Sequence, residues 1–110
     1  MTDQMNAQLK KGVLEMCVLA LLSCRDCYGL EMVTSLSGAA SMAEGTVYPL
    51  LKRLRGEGLL TTYLKESAEG PPRKYYHMTG EGKRRYSEMV SDWRAFVNSV
   101  DRLLSGGEAA

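Results

Sequence analysis

The chain has 110 residues, of which 25% are charged and 45% are hydrophobic, and its formal net charge at pH 7 is +1. This length fits a single domain, and a nearly neutral chain can attract nucleic acid only through local clusters of basic residues. The longest apolar run, Met16 to Leu22, is far shorter than the ~20 residues of a membrane-spanning helix. We therefore expect no membrane segment. The run lacks a preceding basic leader with a small-residue cleavage site, so no signal peptide is expected, and the three cysteines, an odd number, fit a reducing cytoplasm.

Two helices are predicted at the start of the chain. The stretch from Leu9 to Ser23 is apolar on nearly all sides, which is typical of a helix buried at the centre of a domain. Arg25 and Asp26 interrupt this pattern. A shorter second helix is predicted from Tyr28 to Leu36, with Asp26 as its N-cap and with Ser37-Gly38 as its end.

The segment from Glu44 to Gly56 predicts a helix with two different faces, whose start is indicated by the capping-box spacing of Ser41 and Glu44. Apolar residues recur at i, i+3, i+4 and i+7 and should face the core; they are Val47, Leu50, Leu51 and Leu54. The opposite face carries small side chains and one cation: Gly45, Pro49, Lys52 and Gly56. No acid lies between Thr46 and Gly56. This composition favours a helix that lies against DNA, the alternative being an ordinary exposed helix.

Two strands are predicted after this helix, from Leu59 to Leu64 and from Arg73 to Met78, with Lys65 to Pro72 as a polar turn between them. A hairpin that follows two such helices is the wing of a winged helix. Between Thr46 and Tyr76 the basic residues outnumber the acidic ones by six to three; they are Lys52, Arg53, Arg55, Lys65, Arg73 and Lys74, against Glu57, Glu66 and Glu69. A dimer would double this modest basic patch.

The last helix is predicted to run from its N-cap, Thr79, to about Leu104. Its apolar residues step by three and four, as in the seam of a coiled coil: Tyr86, Met89, Trp93, Phe96, Val100 and Leu103, with a second row at Val90, Val97 and Leu104. We expect a second copy of the chain, including its first helix, to cover this stripe; the alternative is packing on the helix's own domain. Residues 1–78 would then form the DNA-binding domain, 79–105 a dimerisation helix and 106–110 a frayed tail.

Three motifs carry a resemblance to a known family. They are Glu-Gly-Thr-Val-Tyr-Pro-Leu-Leu-Lys-Arg-Leu at 44–54, Gly-Glu-Gly-Leu-Leu at 56–60 and Gly-Pro-Pro-Arg-Lys-Tyr-Tyr at 70–76. Together they resemble the signature of PadR-family winged-helix transcription regulators, and the similarity extends from about Leu9 to Leu104. The short tail resembles the branch with a single C-terminal helix. The resemblance implies a mostly α fold with a small β wing, and a homodimeric repressor on a pseudo-palindromic double-stranded operator.

The residues expected to contact DNA lie on the third helix and on the wing. The N-terminal half of the second helix of a helix-turn-helix enters the major groove, so Thr46, Tyr48, Pro49 and Lys52 should face bases or the nearest phosphates, and Arg53 the backbone. Arg73 and Lys74 of the wing should meet phosphate or the flanking minor groove. Tyr75 and Tyr76 should point to opposite faces, one of them inward. Lys83, Arg84 and Arg85 would either meet a phosphate or pair with Glu81 and Glu88.

The single tryptophan, Trp93, lies in the middle of the apolar seam. One interpretation is a large residue in a dimer core. The other is a stacking surface, with Met89 and Phe96, for a flat aromatic effector between subunits. Some multidrug-sensing PadR regulators use a tryptophan in the corresponding helix, and this resemblance supports the second interpretation as strongly as the sequence supports the first. A repressor without any ligand is a further alternative.

Other classes of function have weak support. A closed zinc site needs four ligands and the chain offers only Cys17, Cys24, Cys27 and His77, so metal binding has weak support. The spacing of Cys17 and Cys24 suits two small buried hydrophobic residues, and a thiol switch has little to favour it. His77 lies in a strand without a nucleophile motif around it, so no enzymatic activity and no cofactor are expected. A winged-helix protein–protein adaptor that does not bind DNA is the alternative from another class.

Overall fold

The computed structural model describes residues 13–40 and 42–106. Within these ranges four helices and three strands follow one another: α1 Leu14–Cys24, β1 Cys27–Tyr28, α2 Gly29–Ala40, α3 Glu44–Gly56, β2 Leu60–Ser67, β3 Gly70–Met78 and α4 Gly80–Leu104. This arrangement confirms the predicted fold, a mostly α winged helix with a small β wing and one long C-terminal helix.

The core lies between the first three helices and the base of the sheet. Each of these helices buries residues spaced by three or four positions, while the strands bury alternate residues. The buried set includes Val18, Leu19 and Leu22 of α1, Met32 and Leu36 of α2, Val47, Leu51 and Leu54 of α3, and Leu60, Tyr76 and Met78 of the sheet. The first helix therefore has the central position predicted for it, although residues 9–12 of the predicted span lie outside the described ranges.

The sheet is antiparallel, with strand order β1-β3-β2. Its hairpin is longer than predicted, because pairing continues from Lys65↔Arg73 to Ser67↔Gly70. The prediction that residues 65–72 form only a polar turn was therefore wrong. An irregularity between Lys65 and Ser67 shifts the register, and such a bulge is where a strand can accept prolines that lack an N–H donor. The wing consequently projects further from the core than the sequence indicated.

The second helix differs from its prediction at both ends. It begins at Gly29 and continues through Ser37-Gly38 to Ala40, which packs against the core. Gly38 does not end the helix because it lacks the positive φ of a glycine cap, which among the described glycines occurs at Gly58 and Gly106. Asp26 is not the N-cap either, since the strand β1 lies between it and the helix. Ser41, predicted as a cap of the third helix, lies outside the described ranges, and the N-cap there is Ala43.

The long helix α4 starts as predicted. The Thr79 hydroxyl accepts a hydrogen bond from the Gly82 N–H at 3.0 Å and donates one to the Gly58 carbonyl at 2.7 Å, which ties the helix to the end of α3. Tyr86 and Met89 pack partly against their own domain, whereas the large apolar residues beyond them are exposed: Trp93, Phe96, Leu103 and Leu104. Among the residues that the structure describes, its own domain thus covers only the first turns of the apolar stripe. None of the helices in the described ranges has an apolar stretch long enough to cross a bilayer.

Candidate nucleic-acid interface

Helix α3 has the two faces that its sequence predicted. Of its predicted core residues, Val47, Leu51 and Leu54 are fully buried and Leu50 is half-buried. All members of the opposite face are exposed: Gly45, Pro49, Lys52 and Gly56. Thr46 is exposed beside them. Pro49 lies inside the helix, as predicted. The outer face is therefore free of large side chains around one lysine, and the helix backbone is accessible to a partner.

Tyr48 lies on the edge of this face and lines a cleft of about 310 Å³ together with residues of α2 and the wing. The cleft is lined by Tyr28, Gly29, Leu30, Tyr48, Arg73, Lys74 and Tyr76. Three residues predicted to contact DNA, Tyr48, Arg73 and Lys74, thus come together in space although 25 residues separate the first from the second along the chain. The start of α2 was not predicted as part of the site. Leu30, near the start of α2, lines the cleft and is 61% exposed, which only the structure reveals.

The two wing cations are held differently. Arg73 lies over the ring of Tyr28, with its guanidinium carbon 4.4 Å from the ring centroid. Such a cation–π contact restricts a long side chain without neutralising its charge. Arg73 therefore remains available to an anion while its position at the rim of the cleft is fixed. Lys74 is the next residue of β3, so its side chain points to the other face of the sheet.

The outer face of the sheet carries a row of three tyrosines, one from each strand. The ring of Tyr75 stacks on that of Tyr63, with centroids 5.6 Å apart, and meets the ring of Tyr28 edge-on at 5.5 Å. The register explains the row, since Tyr75 pairs with both Tyr28 and Tyr63 across the sheet. Its neighbour Tyr76 is the tyrosine that points inward, where burial raises the pKa of its hydroxyl. Each of the two tyrosines thus has a defined face.

Asp26, in the loop after α1, forms hydrogen bonds with residues of this outer face. Its carboxylate accepts a hydrogen bond from the Tyr63 hydroxyl at 2.7 Å and lies 2.9 Å from Nδ1 of His77. Burial raises the pKa of the Asp26 carboxyl, but the hydrogen bonds with Tyr63 and His77 outweigh it and lower the pKa below its ordinary value. An ionised Asp26 therefore holds β2 and β3 against the loop from which β1 begins.

Arg53 occupies a different environment from Lys52. Its guanidinium pairs with Glu57 at 2.8 Å and with Glu15 of α1 at 3.0 Å. The contact with the DNA backbone that was predicted for Arg53 would have to compete with these two carboxylates. Arg85 of α4 also pairs with Glu15, at 2.9 Å.

The basic residues at the start of α4 follow the pairing alternative in part. Arg84 pairs with Glu81 at 2.6 Å and with Glu88 at 3.1 Å, both on its own helix. Arg85 instead reaches across to Glu15 of α1 and to Glu57, the C-cap residue after α3. Neighbouring arginines on one helix therefore have local partners in one case and long-range partners in the other.

The residues predicted to bind an effector differ in their exposure to solvent. Trp93 and Phe96 are 41% and 64% exposed, whereas Met89 packs against its own core. They do not form an enclosed pocket within the described part of one chain.

Among residues 13–40 and 42–106 no group of three potential metal ligands comes together. Burial raises the pKa of the Cys17 and Cys27 thiols, which keeps them protonated.

Comparison with known proteins shows which family has this architecture. The model of the transcriptional regulator PadR-like family matches residues 18–88. A PadR-like transcriptional regulator from Bacillus cereus is 42% identical, with a TM-score of 0.82 over 92% of this chain and 99% of the other. A PadR family regulator from Eggerthella lenta is 34% identical, with a TM-score of 0.80 over 94% of this chain and 91% of the other. One from Clostridium difficile is 29% identical, with a TM-score of 0.78 over 84% and 99%.

The family match covers well over half of the chain, and it includes the helices α2 and α3 and the whole wing. The solved structures add the same fold over nearly the full length. The chain therefore belongs to the PadR-like family of transcriptional regulators, whose members are DNA-binding proteins rather than enzymes.

Proposed function

We propose that this protein is a homodimeric repressor that binds a two-fold symmetric operator through α3 and the wing. The observation that carries the proposal is the cleft in which Tyr48 of α3 meets Arg73 and Lys74 of the wing. These residues lie beside an exposed helix face that carries Lys52 but no carboxylate between Thr46 and Gly56. Such a surface suits a polyanion approached closely by a helix backbone.

In this proposal the contacts divide into two kinds. Thr46, Tyr48, Pro49 and Lys52 face the major groove, where side chains reach base edges and the nearest phosphates. Arg73 and Lys74 fix phosphates or enter the flanking minor groove, which positions the domain without reading much sequence. Arg53 differs from Lys52 in that two carboxylates already hold its guanidinium.

The second half of α4 supports dimerisation. Trp93, Phe96, Leu103 and Leu104 are between 41% and 79% exposed and recur along one side of the helix. An apolar row of this size is expected to be covered by another protein surface, and a two-fold axis would pair it with itself. A dimer would also present two copies of α3 to successive half-sites of the operator.

An effector between the two α4 helices would act by changing the angle between the winged domains. A planar aromatic molecule could stack on Trp93 and Phe96, which are open on the side of the proposed dimer contact. To reverse the occupancy of an operator almost completely it would need about 5.5 kcal/mol of difference in its affinity for the two arrangements. Quenching of the single tryptophan by a panel of planar dyes tests this, and a panel without effect would remove the effector from the proposal.

Substitution of Lys52 tests the DNA-binding face. We expect Lys52→Ala to weaken binding to an operator duplex about tenfold, with unchanged dimerisation. Arg94→Ala is the matched control, because Arg94 is an exposed cation of α4 outside both apolar rows. Equal operator affinity for Lys52→Ala and the wild type would show that the DNA-binding face has been wrongly assigned. Absence of any salt-dependent duplex binding by the wild type would favour a protein–protein adaptor.

A further inference from the structure

A four-residue ion-pair network joins α1, α3 and α4. Arg53 of α3 pairs with Glu15 at 3.0 Å and with Glu57 at 2.8 Å. Arg85 of α4 pairs with the same two carboxylates, at 2.9 Å and 3.7 Å. Each guanidinium thus bridges two acids and each acid bridges two guanidinium groups, so the charges balance within the cluster.

This arrangement differs from ordinary surface ion pairs. A single exposed pair contributes little, since it is solvated and its long side chains lose entropy. Here the shared carboxylate of Glu15 is only 14% exposed, and it lies 38 residues from Arg53 and 70 residues from Arg85 along the chain. Arg53 uses two nitrogens, Nη2 to Glu15 and Nη1 to Glu57, so its planar guanidinium has a defined orientation, whereas Arg85 reaches both acids through the single nitrogen Nη1. The network therefore restrains the relative placement of three helices.

The position of the network connects the two functional parts of the molecule. Arg53 follows Lys52 directly on the helix proposed to enter the major groove. Arg85 lies near the start of α4, whose later turns carry the exposed apolar row. A rotation of α4 about its first turns would move Arg85 and so strain the pairs of Arg53. The orientation of α3 is thereby linked to that of α4.

We infer that Arg53 and Arg85, with Glu15 and Glu57 between them, are positioning residues that fix the DNA-binding helix against α1 and α4. Arg53 then acts through its carboxylate partners and not by holding a phosphate. This inference rests on the proposed function, because it concerns how well α3 fits an operator. It predicts that a residue of α4 with no contact to DNA affects sequence-specific binding.

Arg85→Ala and Arg84→Ala form a matched pair for the test. Both remove one arginine from the same part of α4, but Arg84 pairs only with Glu81 and Glu88 of its own helix within the described residues. We expect Arg85→Ala to weaken binding to a selected operator by about threefold to tenfold, and Arg84→Ala to leave it within about twofold of the wild type. Binding to a non-specific duplex should fall by less than about twofold in both variants, since it depends on charge more than on helix placement.

The ratio of specific to non-specific affinity is the decisive quantity. Partial unfolding or loss of a phosphate contact would lower both affinities together, whereas a misplaced helix lowers the ratio. Arg85→Lys keeps a cation beside Glu15 and should restore most of the ratio. The salt dependence of Arg85→Ala and Arg53→Ala should equal that of the wild type, because a lost phosphate contact would reduce the logarithmic slope by about 0.9.

Two outcomes would overturn the inference. One is a wild-type ratio in Arg85→Ala; the other is a reduced salt slope in Arg85→Ala or Arg53→Ala, which would identify a phosphate contact. If Arg85→Ala does not fold, Glu15→Gln removes the shared carboxylate charge and is expected to lower the ratio in the same way. Wild-type protein that binds no duplex specifically would instead overturn the proposed function, and Lys52→Ala, measured in parallel, separates the two failures.

Discussion

The ring of Tyr48 occupies the space that a side chain at Gly29 would need. A Cβ atom at residue 29 would lie 2.9 Å from the Tyr48 hydroxyl oxygen and 3.0 Å from the nearest ring carbon. The first residue of α2 thus accommodates an aromatic ring from α3 at the edge of the cleft that also contains Arg73 and Lys74. Since Tyr48 is part of the proposed DNA-binding face, the absence of a side chain at Gly29 sets the shape of that face.

Substitution of Gly29 by alanine should therefore affect DNA binding more than folding. The added methyl group would displace the Tyr48 ring, which can swing outward. We expect operator affinity to fall by up to about tenfold, while the free energy of unfolding changes by less than about 1 kcal/mol because alanine favours the helix. Gly38→Ala is the control on the same helix, since nothing lies within 4 Å of its Cβ position. If Gly29→Ala bound the operator as tightly as Gly38→Ala, the placement of Tyr48 would have no bearing on recognition.

The contact of Arg73 with Tyr28 gives a second prediction. Tyr28→Leu removes the ring beneath the guanidinium and should weaken operator binding about two- to fivefold, the value of an exposed cation–π contact. Tyr28→Phe keeps the ring and should bind like the wild type. Duplex-binding titrations would measure both variants. In an Arg73→Ala background the effect of Tyr28→Leu should disappear, and persistence of the full effect there would show that Tyr28 acts by another route.

Gly82 marks the joint between the winged domain and α4. A Cβ atom at residue 82 would collide with the backbone carbonyl oxygen of Leu59 and would lie 2.7 Å from Cγ of Met78. Because a backbone carbonyl cannot move aside easily, Gly82→Ala should lower the free energy of unfolding by about 1–3 kcal/mol. Gly80→Ala, where nothing lies within 4 Å, should not.

Urea denaturation at one fixed protein concentration compares these two glycine variants, since association with a second chain would add to the measured stability. Equal stability of Gly82→Ala and Gly80→Ala would mean that α4 does not pack closely on the Leu59 backbone.

The lowered pKa of Asp26 predicts how stability depends on pH. In the unfolded chain this carboxyl titrates at about 3.9, whereas in the folded protein its pKa lies lower. Its contribution is therefore complete above the unfolded value and is lost as the pH falls through the folded value. We expect Asp26→Asn to be less stable than the wild type by about 1 kcal/mol at neutral pH, from weakened hydrogen bonds to Tyr63 and His77.

Chemical denaturation at a series of pH values would check this dependence. The stability difference between the wild type and Asp26→Asn should shrink as the pH falls below about 4, because the Asp26 carboxylate then becomes protonated. A difference that grows below about pH 4 would contradict the assigned ionisation state.

Features set by local periodicity were the ones that sequence predicted well. The two faces of α3 follow from Val47, Leu51 and Leu54 at helical spacing, and Thr79 caps α4 through its own hydroxyl. The ends of α2 and the length of the wing were predicted wrongly. Packing overrides the tendency of Gly38 to end a helix. Cross-strand pairing overrides the tendency of the prolines to end a strand.

The site itself was only partly within reach of the sequence. Of the proposed DNA-binding face, Lys52 and Tyr48 were predicted from the helix and Arg73 and Lys74 from the motif in the wing, and these contacts stay predictions. The two-residue strand β1 is too short to show a period, and so the roles of Tyr28 and Gly29 were missed. The pairs that Glu15 makes with Arg53 and Arg85 join distant parts of the chain, and no local pattern encodes such contacts.

Selection of genomic duplex fragments by the purified protein at near-physiological salt tests the central claim most directly. The bound fragments are sequenced, and Lys52→Ala is selected in parallel. We predict enrichment of a two-fold symmetric site in promoter regions by the wild type, and weaker enrichment of the same site by Lys52→Ala. Failure of the folded wild-type protein to enrich any sequence would contradict the account of a sequence-specific DNA-binding repressor.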